Sequence, residues 1–188
     1  MSNKQLLHST MDEMLIATSI AGRPLLDLIN EIQDLYLEDK KPWVVGFSGG
    51  KDSTTILSLI YVAISKLKKT QRHKHIYVIS SDTLVETPMV VDMIAGTLDQ
   101  INTKAKIHNL PMTAHQVIPK MEQTFWVNLL GKGYPAPTQN FRWCTERMKI
   151  DPVSEFILDK VARFGEVVVV LGARKDESAS RAQVMARH

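Results

Sequence analysis

Ser48-Gly49-Gly50-Lys51-Asp52-Ser53 follows a short apolar run, Val44-Val45-Gly46-Phe47, and leads directly into a helical pattern. Strand, glycine pair and helix in that order make the local chemistry of an anion cradle. Glycine takes backbone conformations that other residues resist, so successive N–H groups can converge on one anion beside the positive end of the helix dipole. Lys51 adds a full charge, and the hydroxyls of Ser48 and Ser53 supplement the backbone donors. Asp52 beside phosphates needs neutralising, which points to Mg²⁺ nearby. The spacing is not the common G-x-x-x-x-G-K-[ST] loop, since Val45 stands where that loop needs glycine and Asp52 where it needs a hydroxyl.

The elements that must position this loop alternate along the chain. Apolar runs and helical spacings predict a strand over 43–47, a helix over 53–68, a strand over 75–80, a helix over 88–103, a strand over 105–110, helical segments across 113–163 and a strand over 166–171. That order implies an α/β fold, an open, mostly parallel twisted sheet with helices on both faces. Two N-terminal helices precede it. One opens on the Thr10-Met11-Asp12-Glu13 capping box and runs to Ile20; the other extends from Pro24 to about Asp39. The chain therefore divides into a helical segment, 1–40, packed on a core domain, 41–188. Ser178 to His188 reads as a helix start with nothing after it, so the domain is expected to be truncated at its C-terminus.

In an open parallel sheet, ligands bind outside the carboxyl ends of the strands. Three further segments fall there or between: Ser80-Ser81-Asp82-Thr83-Leu84-Val85-Glu86-Thr87, Phe141-Arg142-Trp143-Cys144-Thr145-Glu146-Arg147-Met148-Lys149, and Gly172-Ala173-Arg174-Lys175-Asp176-Glu177-Ser178-Ala179-Ser180-Arg181. Arg174 and Arg181 suit bidentate phosphate recognition, and Asp82 with Thr83 suits contact to nucleotide or metal. The rival reading of Asp82 is a turn cap, and that of Arg142, Arg147 and Lys149 is a solvated face.

Together these segments resemble the ATP pyrophosphatase (PP-loop) superfamily, in particular the phosphoadenylylsulfate reductases, which carry an Asp-Thr segment, an aromatic-Cys-Thr basic segment and G-x-R-x-x-E-S-x-x-R. The wording of Ser81 to Pro88, Gly131 to Pro137 and Arg142 to Thr145 most resembles DndC-type proteins of bacterial DNA phosphorothioation. The resemblance implies an adenine nucleotide alpha hydrolase-like fold. It also implies cleavage of ATP to AMP and pyrophosphate, activating a DNA backbone phosphate for sulfur insertion. Lys51, Asp52 and Arg174 would be catalytic. Ser48, Gly49, Gly50, Ser53, Ser81, Asp82, Thr83, Arg142, Gly172, Glu177, Ser178 and Arg181 would hold the nucleotide. It further implies ATP and Mg²⁺ as cofactors, a 4Fe-4S cluster in the full-length protein, and DNA, a cysteine desulfurase and other DNA-modification subunits as partners. Leu84 stands where the reductases commonly carry glycine. Two alternatives stay open: a reductase-like or other small-molecule adenylating enzyme, and a nucleotide-gated module without catalysis.

Cys144 is the one cysteine of 188 residues. It reads either as a small half-buried side chain or as a thiolate, lowered in pKa by Arg142 and Arg147, that handles sulfur or ligates a cluster. Gly131-x-Gly133-x-x-Ala136 imitates a dinucleotide fingerprint but follows a helical pattern and contains Pro135, so it is rejected. The basic run Lys66, Lys68, Lys69, Arg72, His73, Lys74 and His75 lies one helix away from the loop and reads as a solvated helix end. His8, His108, His115 and His188 show no ligand spacing. With 23 basic against 20 acidic side chains, the net charge of +3 does not identify a partner. The chain has neither a signal-peptide pattern nor an apolar run long enough to span a bilayer, which implies no membrane partner and a cytoplasmic location.

Overall fold

A strand read as a continuous apolar run belongs where both sheet faces are covered, and Trp43–Gly46 occupies such an inner position. The computed structural model describes residues 18–20 and 22–173. In chain order these form β1 (Ser19–Ile20), β2 (Arg23–Pro24), α1 (Leu25–Glu38), β3 (Trp43–Gly46), α2 (Lys51–Lys66), β4 (Ile76–Ser81), α3 (Pro88–Ile107), β5 (Met112–Val117), α4 (Asp151–Phe164) and β6 (Val168–Val170). Short helical turns at Met121–Gln123, Val127–Gly131, Trp143–Thr145 and Glu146–Ile150 fill the long connection from β5 to α4.

The main sheet has the order β5-β4-β3-β6, all parallel. The register sets Trp43 beside Ile76 and Val168, and Ile76 beside Met112. The chain leaves β3 toward β4 and β5, then returns to the other side of β3 as β6. Strand order thus reverses at β3, the place where open α/β sheets form their ligand crevice.

Successive strand residues point to opposite faces. Trp43, Val45, Phe47, Ile76 and Val78 pack with Leu57, Ile60 and Ile64 of α2 and Ile94 and Leu98 of α3 in the main core. Helix α1 lies against α2, joined by Gln33 Nε2 donating to the Ala63 carbonyl at 2.8 Å. The other face is covered by α4 and is more polar. There Phe156 meets Tyr77 and His115, at ring centroid distances of 5.9 and 5.4 Å, and Lys160 Nζ lies 4.9 Å above the Tyr77 ring. The Thr113 hydroxyl bridges His75 and His115, at 2.8 and 3.0 Å. Helices therefore flank both faces, as the sequence pattern implied.

Three sequence expectations need correction. The strand expected over 105–110 is the end of α3 and its exit turn, and the strand lies at Met112–Val117, inside the stretch read as helical. Asn109, at φ +51°, ends α3: Leu110 N–H donates to the Ala105 carbonyl and Asn109 N–H to that of Lys106, a Schellman closure with asparagine in glycine's usual place. Ile20, expected at the end of the first helix, is extended and pairs with Arg23 across Gly22 at φ +78°; the rest of that helix, Thr10 to Ala17, lies outside the described residues.

The third correction touches two residues of the basic run, of which Lys68, Lys69 and His73 are exposed as expected. Lys74 is only 2% exposed; its ammonium pairs with Asp39 and lies 5.1 and 5.3 Å from the Tyr36 and Trp43 ring centroids. The Arg72 guanidinium donates to the carbonyls of Ser65, Leu67 and His108. Arg72 thus ties together the C-terminal ends of α2 and α3, and Lys74 holds the end of α1 beside the start of β4. Among the described residues no helix is long and apolar enough to cross a membrane.

Candidate functional site

β3 ends at Gly46, and Phe47 N–H still donates to the Ile79 carbonyl at 2.8 Å, so the sheet holds the chain up to the glycine pair. Gly49 then takes φ +73°, a conformation available to it without strain. Gly50 is the N-cap of α2 and offers no side chain to the first turn. Helix α2 begins two residues before the expected Ser53, so Lys51, Asp52 and Ser53 form its first turn. The opening N–H groups of a helix have no intrahelical partner, and Gly50, as the N-cap, supplies no side chain to cap them.

The loop is braced from within. Ser53, 7% exposed, donates its hydroxyl to the Gly50 carbonyl at 3.0 Å and accepts from Ser48 N–H at 3.2 Å. The hydroxyls of Ser48 and Ser53 stand 3.1 Å apart. Ser53 thereby holds the shape of the cradle, while Ser48 and Lys51 are exposed at its rim.

The neighbouring strand ends complete the wall. A cavity of about 230 Å³ is lined by Gly46, Ser48, Ser53, Ser81, Leu171 and Gly172, together with Val153 and Ile157 of α4. Gly172 is there for space: a β-carbon on it would lie 2.7 Å from the Asp52 carbonyl oxygen and 2.9 Å from the Ser53 nitrogen. The end of β6 thus seats directly against the first turn of α2. A larger cleft, about 510 Å³, runs along α1 but is walled by Asp27, Glu31, Asp34 and Glu38, which repel anions.

Beyond β4, Asp82 Oδ1 accepts from Leu84 N–H at 2.8 Å and Oδ2 from Gln116 Nε2 at 3.2 Å. Thr83 is buried and donates its hydroxyl to Glu86 at 3.0 Å. The turn-cap reading of Asp82 is therefore realised, at the sheet edge where a ligand contact was also expected.

The segment around Cys144 is built differently from the sequence reading. Arg147, expected beside the thiol or in solvent, donates to Asn128 Oδ1 at 3.3 Å and to the Tyr134 hydroxyl at 2.8 Å, and stacks on the Tyr134 ring. Trp143 donates from Nε1 to the Pro135 carbonyl at 3.0 Å and stacks on Phe125. Asn128, Tyr134 and Trp143 thus organise this connection, and none was singled out as a site residue. The aromatic residues around the Pro135 and Pro137 breakers were the only available signal. Arg142 is exposed, and its carbonyl accepts from Thr145 N–H at 3.0 Å. Cys144 is half-buried. Arg174, Glu177, Ser178 and Arg181 lie outside the described residues.

The donor chemistry of the loop suits a small hard cation only in part. Serine hydroxyls and Asp52 and Asp82 carboxylates are oxygen ligands, but no group of three or more His, Cys, Asp or Glu among the described residues could hold a metal ion. Mg²⁺ is commonly bound by one or two carboxylates together with substrate phosphates, and Asp52 and Asp82 are the residues here that fit that arrangement. An iron-sulfur cluster does not fit these residues: it takes four thiolates, and the sequence holds one cysteine.

An uncharacterized protein of Methanocaldococcus jannaschii, MJ0066, is 30% identical to the chain over 154 residues, covering 82% of the chain and 27% of the relative. The chain therefore spans about a quarter of that relative's length. The sequence model of the phosphoadenosine phosphosulfate reductase domain matches residues 42–187, which include β3, the glycine loop and every strand end that walls the cavity. The chain belongs to the phosphoadenosine phosphosulfate reductase domain family.

Proposed function

We propose that the chain binds ATP at the Ser48–Ser53 loop and cleaves it between the α and β phosphates, as the ATP pyrophosphatase component of DNA sulfur modification. The observation that carries the nucleotide reading is the first turn of α2, which follows a glycine N-cap with no side chain. It stands beside Gly49 at φ +73°, is braced by Ser53, and opens on the cavity at the strand reversal. An acceptor oxygen attacks the α-phosphorus in line, the bond to the bridging oxygen breaks, and pyrophosphate departs into the loop. Lys51 and the amides of the first turn stabilise the charge that develops on the leaving group. Mg²⁺ on the phosphates would supply further charge neutralisation there.

With a DNA backbone phosphate as acceptor, the product is an adenylated phosphate, open to displacement of AMP by the outer sulfur of a desulfurase persulfide, after which a second thiol takes the persulfide cysteine into a disulfide and leaves the phosphorothioate. That acceptor rests on the sequence resemblance of residues 81–88, 131–137 and 142–145. Family membership favours a second reading, reduction of phosphoadenylylsulfate to sulfite by a thiol donor.

Separation of nucleotide products decides between them. Incubation with ATP and Mg²⁺ is expected to yield AMP and pyrophosphate, and Lys51→Ala to abolish the reaction without lowering the unfolding midpoint, since Lys51 is exposed. ADP with phosphate would refute the loop assignment. Sulfite release from phosphoadenylylsulfate would establish the second reading.

A further inference from the structure

Leu84 and Asn109 are the non-glycine residues with positive φ among those described, at +60° and +51°. Asparagine tolerates that region and here closes a helix; leucine is disfavoured in it. The conformation at Leu84 is locked from both sides, by Asp82 accepting its N–H and by the Thr83–Glu86 bond. Glycine would adopt it freely. Nor does the core need the side chain, which is 48% exposed. Neither backbone nor packing accounts for a leucine here, and residues held in strained conformations cluster at ligand sites.

Its surroundings point to a ligand. Val85, Met89 and Met93 are likewise exposed, and Met89 and Met93 lie one turn apart on the same side of α3. Met93 reaches the phosphate loop itself: a β-carbon on Gly49 would touch Met93 Cε at 3.4 Å. Met93 thus brings exposed apolar surface to the glycine of the cradle, and Leu84 stands on the connection that leads from β4 into the same helix. The cavity at the loop, about 230 Å³, is smaller than the roughly 300 Å³ at which whole-ligand sites begin, so part of a nucleotide held there would lie outside it.

We infer that Leu84 is a specificity-determining residue, covering with Met93 the apolar face of the base of the nucleotide whose phosphates occupy the Ser48–Ser53 loop. This inference rests on the nucleotide reading of that loop. The leucine is kept in a strained backbone because its side chain contacts the ligand. Such apolar surface also disfavours a ligand that would bring a further charge against it.

The test compares Mg²⁺-ATP with Mg²⁺-tripolyphosphate, which has the phosphates but no base, on the full chain and its Leu84→Gly and Leu84→Met variants. Dissociation constants and urea midpoints are measured. Leu84→Gly is expected to weaken ATP about tenfold, the loss of roughly half a buried leucine. It should leave tripolyphosphate within twofold, and the midpoint unchanged or higher. Leu84→Met is expected to keep ATP affinity. Unchanged ATP affinity in Leu84→Gly overturns the inference, as does parallel weakening of both ligands or a lowered midpoint. Wild-type chain that binds tripolyphosphate as tightly as ATP also overturns it. If the wild type binds neither ligand, the loop reading fails first and this inference falls with it.

Discussion

Replacing Gly172 by alanine tests whether β6 and the first turn of α2 are built as one surface. The φ of Gly172 lies outside the left-handed region, so alanine is conformationally permitted there, and only space opposes it. The added methyl would stand 2.7 Å from the Asp52 oxygen, 2.8 Å from the Asp52 carbonyl carbon and 2.9 Å from the Ser53 nitrogen. All three are backbone atoms, which cannot rotate away as a side-chain end would, so strand end and helix must separate. Overpacking of this kind costs about 1–3 kcal/mol, opposed by about 0.4–1 kcal/mol from the stiffer unfolded chain. A net loss of about 1–2 kcal/mol corresponds to roughly 2–8 °C in the midpoint of a domain this size. Gly96→Ala is the matched control, since a methyl in that exposed part of α3 meets nothing within 4 Å; it should stabilise by about 0.5–1 kcal/mol. Calorimetry of both variants, with titration of Mg²⁺-tripolyphosphate, measures the effect on the fold and on the cradle. Gly172→Ala that melts no lower than wild type and binds tripolyphosphate equally well would refute the close-packed account.

Two other perturbations follow from the same geometry. Lys74→Ala removes a buried cation from Asp39 and from the rings of Tyr36 and Trp43; because Asp39 is partly exposed and can rehydrate, the loss should be about 2 kcal/mol, below that of a fully buried pair, and a urea midpoint within error of wild type would contradict it. His75 and His115 have pKa values held below the usual histidine value, first by burial and then by nearby positive charge, His115 and Lys160 for His75 and Lys160 for His115. The unfolded chain therefore binds more protons near pH 6.5, so stability should rise with pH through that region and fall below it. A double His75→Gln, His115→Gln variant should flatten the profile, and melting curves between about pH 5 and 8 that keep the wild-type slope would exclude these rings as the cause.

What could be read without coordinates was local. The glycine loop was legible because glycine conformation, the start of a helix and the preceding apolar run are properties of neighbouring residues, and alternating elements implied the parallel sheet. The misplaced strand shows where locality ends: both 105–110 and 112–117 alternate in polarity, and the decision between them came from Asn109 closing α3 through bonds to Ala105 and Lys106. Arg147 and Lys74 looked like solvated charge because their partners, Tyr134 with Asn128 and Asp39, are 13 to 35 positions away.

Composition and order thus determined the fold class and the presence of a glycine loop between strand and helix, since backbone freedom and hydrophobic periodicity are written residue by residue. The strand order β5-β4-β3-β6, the role of Gly172 as the seat of α2, the engagement of Ser53 inside the loop and the strain at Leu84 were decided only by tertiary packing. Each depends on which distant backbone or side chain occupies the adjoining space, and a linear pattern of residue types does not specify that.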